Sequence, residues 1–365
     1  MGLLDLQRDE MMLQDLTKGR TIASLPFAGR YRIVDFPLSS MVNSGIRHVG
    51  VLLAEKSRSV LDHLRSGKDW GLARHYKGLI YLPPVRPEHD ERGGDLRNLY
   101  QNLDFVINNN EEYVLLARAA SIYNMDFRPV LRFHQNTGAD VTMVMGRARH
   151  DDVCNGIVAE VAANGLIMDM ATKPNIRKGE MRSLGVFLMK KDVFVDLIRR
   201  SFEHGGLDFR RDVVARLMDN QTVYAYEHTG FAGRICTMLA YYEMNLAMIQ
   251  PAVWEEMFLR EGAPVYTKVK DMPPVRYKEG ARVNDSLVAN GCEIYGEVQN
   301  SVLFRGVKVA PGAVIRNCVI MQGGVIQEGA RLDCVVCDKS VKVTTGKELR
   351  GAPTYPLYIG KQAVI

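Results

Sequence analysis

The chain has 365 residues, 47% of them hydrophobic and 24% charged. That balance excludes a disordered or fibrous polypeptide, and the length predicts two domains because a single core stops growing near this size. A surplus of 47 Lys and Arg over 42 Asp and Glu leaves a net charge of only +5, which argues against nucleic acid and fits small anionic ligands. No apolar run reaches the ~18–20 residues needed to span a bilayer. The opening Met1-Gly-Leu-Leu-Asp-Leu-Gln-Arg-Asp-Glu10 lacks the basic and apolar regions of a secretory signal. A cytoplasmic chain is the expectation, with no membrane partner. Six cysteines in a chain this long make no disulfide scaffold. Cys334-Val-Val-Cys337 has no second pair to complete a zinc site and reads as strand, its thiols small core groups in a reducing compartment.

In chain order, Gly2–Leu6 and His48–Ala54 read as buried strands, and Ser57 starts a helix that ends near Gly67. Leu96, Leu99, Leu103 and Val106 mark a helix by their three-and-four spacing. Tyr113–Ala117 is the next strand. The segment 127–136 is a helix with Gly138 just beyond its end. Val141–Gly146 is a strand, 157–167 a hairpin around Asn164-Gly165, and Leu184–Met189 a strand followed by helices at 192–203, 209–220 and 237–249. Near-continuous apolar strands alternating with helices predict a mostly parallel α/β sheet covered on both faces. Residues 1–250 are assigned to this domain. Residues 251–282, with Pro251, Pro264, Pro273 and Pro274, read as a connector.

The period changes in the third segment, 283–365. Gly306, Gly312, Cys318, Gly324 and Ala330 form a small column every six residues. Val307, Ala313, Val319 and Val325 form one apolar column, and Leu303, Val309, Ile315 and Met321 another. Period six fits a parallel β-helix of hexapeptide repeats with small residues at its corners. Its open ends favour oligomers.

Nucleotide-binding α/β domains cradle phosphate on a glycine-rich turn after the first strand. Here Gln7-Arg8-Asp9-Glu10-Met11 follows, with no glycine. The run from Leu25 to Ile46, containing Pro26-Phe27-Ala28-Gly29-Arg30-Tyr31-Arg32 and Asp35-Phe36-Pro37, nevertheless resembles the bacterial ADP-glucose pyrophosphorylases (glucose-1-phosphate adenylyltransferases). So do Lys56-Ser57-Arg58-Ser59, His63-Leu64, Leu99-Tyr100-Gln101-Asn102, Ile122-Tyr123-Asn124-Met125-Asp126, Lys173-Pro174 and Asn300-Ser301-Val302-Leu303-Phe304. The resemblance covers essentially the whole chain. It implies a Rossmann-like nucleotidyltransferase domain followed by a left-handed parallel β-helix.

The departures bear on activity. Catalytic members carry Gly-Asp-His where this chain has Ala119-Ala120-Ser121, so Ala120 stands at the metal aspartate position. Their second aspartate falls on Arg234, counted back from Glu243 and Asn245. Gly94-Asp95-Leu96 replaces a Gly-Thr-Ala/Ser segment, and Thr172 replaces the Glu before the sugar-phosphate lysine, Lys173. Nucleotidyl transfer needs Mg²⁺ on carboxylates and phosphates; alanine supplies no ligand, and arginine repels a dication. The pattern resembles the family's GlgD-type, non-catalytic subunits. It implies a chain without catalytic residues, metal or cofactor, assembling with a catalytic GlgC-type subunit in a heterotetramer, or with itself, and raising ADP-glucose synthesis for glycogen. The resemblance further implies that Arg20 and Arg32, with Arg30 between them, serve a phosphorylated sugar effector. Read from the residues alone, these arginines form a basic set suited to phosphate or a face paired with Asp15 and Asp35. Lys173 reads as a sugar-phosphate remnant or a surface lysine. Trp70 and Trp254 read as packing anchors and His134 as a structural histidine. Two rival functions stand. One is an active nucleotidyltransferase with displaced ligands, Asp95 or Asp126. The other is a hexapeptide acyltransferase, disfavoured because the last histidine, His228, precedes the repeats.

Overall fold

A computed structural model describes residues 1–6, 13–84, 94–148 and 155–365. The glycine-free stretch 7–11 lies outside the described residues, as does Cys154. By their contacts the described residues gather into two compact units. The first holds the N-terminal strand, Val34–Arg234 and Glu261–Tyr266; the second holds the segment ending at Ile33, Ile235–Arg260 and Thr267–Ile365. These contacts thus follow threading of the chain rather than its simple order. Among the described residues, no helix is long and apolar enough to cross a membrane.

Among the described residues, thirteen strands precede the repeats: β1 (Gly2–Asp5), β2 (Pro26–Phe27), β3 (Tyr31–Arg32), β4 (His48–Leu52), β5 (Gly78–Leu82), β6 (Tyr113–Arg118), β7 (Ser121–Tyr123), β8 (Val141–Arg147), β9 (Gly156–Val161), β10 (Ile167–Lys173), β11 (Met181–Lys190), β12 (Val223–Glu227) and β13 (Ala232–Arg234). In the first unit the main sheet runs β10-β9-β11-β6-β1-β4-β5, with β8 between β11 and β12. The run β6-β1-β4-β5 is parallel, and β11 enters antiparallel to β6 and β8. Every residue of β1 and β4 is buried, which is why these strands read as unbroken apolar runs. Leu3, Leu52, Leu116, Met143, Phe187, Phe194 and Ile198 are among the side chains of one core.

The helix expected over Leu96–Val106 is two pieces, Asp95–Gln101 and Leu103–Ile107. They break at Asn102, whose amide bonds back to the carbonyl and side chain of Asn98. The helix expected over 209–220 is likewise short turns, Phe209–Val213, Val214–Arg216 and Leu217–Asn220. Gly138 adopts φ 63° and ends the Arg128–Thr137 helix as its sequence predicts.

In the second unit, 275–365 form three five-stranded parallel sheets, three strands to each coil, consistent with the left-handed β-helix. The repeat is not strictly six. Val302 pairs with Val319 and Val319 with Val336, a 17-residue step each time, so one side of each of these coils is a residue short. The inward column is Leu303, Val309, Ile315, Ile320, Ile326, Leu332, Cys337 and Val343. The expected columns hold through Ile315 and then slip by one: the corners after Gly312 are Asn317, Gly323 and Gly329, not Cys318, Gly324 and Ala330. The short side turns on Asn300, Asn317 and Cys334, all at positive φ. Asparagine tolerates that conformation, and its amide suits stacking: Asn300 Nδ2 donates to Asn317 Oδ1 and Asn317 Nδ2 to Asp333 Oδ1, each 2.8 Å. Cys292, Cys318, Cys334 and Cys337 are free and buried, and burial pushes the Cys337 thiol up to about 12.

The stretch beginning at Pro251 is not all connector. Pro251–Phe258 is a helix with proline in its first turn, where its missing N–H costs nothing. Trp254 packs at 4.3 Å on Phe258, and Phe258 stacks at 4.8 Å on Tyr31.

Candidate functional site

Ligands of parallel α/β sheets sit beyond the carboxyl ends of the strands. Here β1 ends in Asp5 and β6 in Arg118, paired in register. Arg118 Nε lies 3.3 Å from Asp5 Oδ2, and its Nη2 lies 2.9 Å from Asp95 Oδ2. The Arg118 side chain is 11% exposed and each carboxylate 4%. Asp95 opens the helix Asp95–Gln101, and its Oδ1 accepts the Phe209 N–H at 2.6 Å. Burial pushes the Asp95 carboxyl up to about 7, with Arg118 opposing and Asp5 and Asp208 adding to the rise. Burial by itself lowers the Arg118 guanidinium, but Asp95 and Asp5 outweigh it and raise it. The 207–209 segment closes on the same helix start. The Leu96 N–H donates to the Leu207 carbonyl at 3.2 Å, and a Cβ on Gly94 would lie 1.9 Å from that oxygen. Glycine is therefore required at residue 94.

The two positions singled out for a lost metal site do come together. β13 pairs antiparallel with β7 and sets Arg234 opposite Ser121, the neighbour of Ala120. Arg234 Nη1 donates to the Asn155 carbonyl at 2.7 Å, and Arg210 Nη1 donates to the same oxygen at 2.8 Å. Burial brings Arg234 down to about 10, still cationic at neutral pH. Lys173 ends β10 opposite Gly156. Its Nζ is bound to Glu180 Oε1 at 2.8 Å, and its side chain is 46% exposed, so the structure shows it as an ion-paired surface lysine. Neither rival ligand is placed for a cation: Asp95 is held by Arg118, and Asp126 pairs with Arg128 at 2.9 Å. The Mg²⁺ that nucleotidyl transfer requires thus does not fit the residues present, which offer a methyl group and guanidinium groups. Among the described residues, no group of three or more His, Cys, Asp or Glu is placed to hold a metal.

A second cluster lies within the other unit. Arg20 is buried, its Nη2 2.7 Å from Asp338 Oδ2 and its Nε donating to the Leu16 carbonyl at 2.9 Å. Asp338 also accepts the Tyr358 hydroxyl at 3.0 Å. Arg20 is therefore a structural ion pair rather than an open phosphate ligand. Arg30 is exposed, with its guanidinium 5.5 Å over the Tyr31 ring. Arg32 is half-buried and faces lysines that the sequence reading did not select. Lys339 is brought down to about 7 by burial, then by Arg32 and Arg20, with Asp338 opposing. Lys270 is lowered by burial, then by Arg305 and Arg32. Burial, and then the neighbouring cations, disfavour the charged form of each lysine. The available signals were weak: the alternation in Thr267-Lys-Val-Lys270, and a charged Asp338-Lys339 pair interrupting the apolar repeats.

A nucleotidyl transferase family model matches residues 12–255, and a GlmU-like C-terminal hexapeptide model matches residues 274–351. The chain is 35% identical over its full length to the glycogen biosynthesis protein GlgD of Bacillus subtilis (strain 168), covering 96% of that protein. It is also 35% identical over 86% of its length to GlgD of Geobacillus stearothermophilus, covering 82% of it. Against the glucose-1-phosphate adenylyltransferase of Thermotoga maritima it is 32% identical over 82% of its length, covering 72% of that enzyme. The chain belongs to the nucleotidyl transferase family, within the group formed by GlgD proteins and glucose-1-phosphate adenylyltransferases.

Proposed function

We propose that the chain is a regulatory, catalytically silent subunit of glucose-1-phosphate adenylyltransferase in cytoplasmic glycogen biosynthesis. The observation that carries this reading is the chemistry at the two metal positions: Ala120 next to Ser121, which stands opposite Arg234, with Arg118, nearby in the chain, ion-paired to Asp5 and Asp95. Loss of preorganised charge stabilisation of this kind costs roughly 10²–10³ in rate or more, and here an alanine and an arginine stand at the two carboxylate positions. Glycogen biosynthesis follows from the GlgD relatives. A chain that cannot make ADP-glucose itself raises synthesis by assembling with a catalytic GlgC-type subunit. It then acts through differential binding to that partner's active and inactive states. The Arg32, Lys270 and Lys339 cluster supports an effector carrying phosphate, with Arg20 holding the neighbouring Asp338. Co-expression with a catalytic homologue, size-exclusion chromatography and kinetics test the proposal. The expected result is a mixed tetramer with higher kcat or lower KM than the catalytic subunit alone. Two chains that elute separately, with unchanged kinetics in mixture, would refute it.

A further inference from the structure

In the second unit, Arg32 reaches its cluster from a short hairpin. β2 and β3 share only two residue pairs, Phe27 with Tyr31 and Pro26 with Arg32, too short a ladder to hold its own shape. The turn between them is strained: Ala28 has φ 46° and Gly29 φ 76°, and alanine disfavours the left-handed region. A Cβ on Gly29 would lie 2.6 Å from the Leu287 side chain, so the tip is pressed against the first coil of the repeats. The helix Met238–Ala247 grips the same turn. Tyr241 and Asn245 lie four residues apart on one face of it, and both are buried. The Tyr241 hydroxyl donates to the Pro26 carbonyl at 2.6 Å, and Asn245 Oδ1 accepts the Ala28 N–H at 3.0 Å. Asn245 Nδ2 donates to the Tyr241 carbonyl at 2.8 Å, which leaves the oxygen end of the amide for Ala28. Pro26 is the register partner of Arg32, and Arg32 faces Lys339 and Lys270. We infer that Tyr241 and Asn245 are positioning residues, which hold Arg32 in the cationic cluster by keeping the Ala28-Gly29 turn left-handed. The inference rests on the reading of that cluster as an effector site and deepens it, adding the helix Met238–Ala247 to what sets the response.

Lys339 reports where Arg32 stands without any anion present. Burial, then Arg32 and Arg20, bring it down to about 7, with Asp338 opposing and Lys270 adding to the fall. The full-length chain carrying isotope-labelled lysine is titrated by NMR as wild type, Arg32→Met, Tyr241→Phe, Asn245→Ala and Asn245→Ala/Ala28→Gly, with the Lys339 signal assigned by Lys339→Met. Arg32→Met is expected to raise the Lys339 titration point. Asn245→Ala is expected to raise it by a comparable amount, because the guanidinium leaves with the turn, and Tyr241→Phe by less. Ala28→Gly is expected to return the Asn245→Ala chain towards wild type, since glycine keeps a left-handed turn without the amide. A general loosening of the helix would not be relieved by a glycine in the hairpin. The inference is overturned if Asn245→Ala or Arg32→Met leaves Lys339 at its wild-type point, or if the added glycine restores nothing. Should Asn245→Ala not fold, Tyr241→Phe decides alone, and an unmoved Lys339 there overturns the inference. Sulfate affinity is measured alongside and is expected to fall several-fold in Asn245→Ala and to recover with the glycine. A wild type that binds no sulfate defeats the effector reading, while an unmoved Lys339 defeats only this one.

Discussion

Arg20 and Asp338 stand 2.7 Å apart with side chains only 8% and 4% exposed. Removing one partner of such a pair leaves a buried charge, which typically costs about 3–5 kcal/mol. Arg20→Met is therefore expected to lower the urea midpoint sharply, and Arg20→Met/Asp338→Asn to recover most of the loss. Equal losses in the single and double variants would show that the pair's charge is not what stabilises the site. Lys339 makes a different test. Burial, then Arg32 and Arg20, bring its ammonium group down from the usual 10.5 to about 7, so it is cationic below that pH and neutral above it. An anion seated beside it favours the protonated form. Sulfate, which does not titrate in this range, should thus bind more weakly as pH rises through about 7, with proton uptake at pH 8. Calorimetry in two buffers of different ionisation enthalpy checks this, and Lys339→Met should abolish the uptake. A wild type that binds sulfate without proton uptake would dissociate Lys339 from the cluster. The sequence motif around Arg32 pointed to this region, but Lys270 and Lys339 are hundreds of residues away in the chain, and only the fold brings them near. Arg118 was equally illegible, because its meaning depends on Asp5 and Asp95.

The repeats show what periodicity can and cannot reveal. Apolar residues every six positions identified a β-helix, since no helix or simple strand bears that period. The register slipped after Gly312 because the short side turns at Asn317, at φ 50°, and asparagine does not look like a corner beside so many glycines. The two roles of Asn317 can be separated. Asn317→Gly keeps the conformation and loses the amide stack with Asn300 and Asp333, a loss of about 1–2 kcal/mol at roughly 1 kcal/mol per hydrogen bond. Asn317→Val loses both, adding a left-handed penalty of about 1–2 kcal/mol. Chemical denaturation of the two variants is expected to rank valine below glycine. The reverse order would show that the backbone conformation is not demanding there. The helix at Pro251–Phe258 is hard to see in sequence for a related reason: proline signals a linker, although it is equally at home in a first helical turn.

For the whole molecule, the continuous column from Leu303 to Val343 leaves apolar coil ends that need cover. Deleting 283–365 is expected to give aggregated or lower-order protein by light scattering. A truncated chain of unchanged oligomeric state would remove the β-helix from assembly. Fold class was legible across the chain because burial on both faces and a six-residue repeat each leave a long-range pattern. The proposed loss of catalytic chemistry was legible as the missing glycine-rich turn and the substitutions Ala120 and Arg234; that Arg234 stands opposite Ser121, the neighbour of Ala120, and that Arg118 pairs with Asp5 at the adjoining strand ends required the structure. The most direct test of catalytic silence is the turnover of the purified chain alone with ATP, glucose 1-phosphate and Mg²⁺. Ala120 and Arg234 at the two metal positions predict no ADP-glucose above background. A kcat within the usual enzyme range of about 1–10³ s⁻¹ would contradict it.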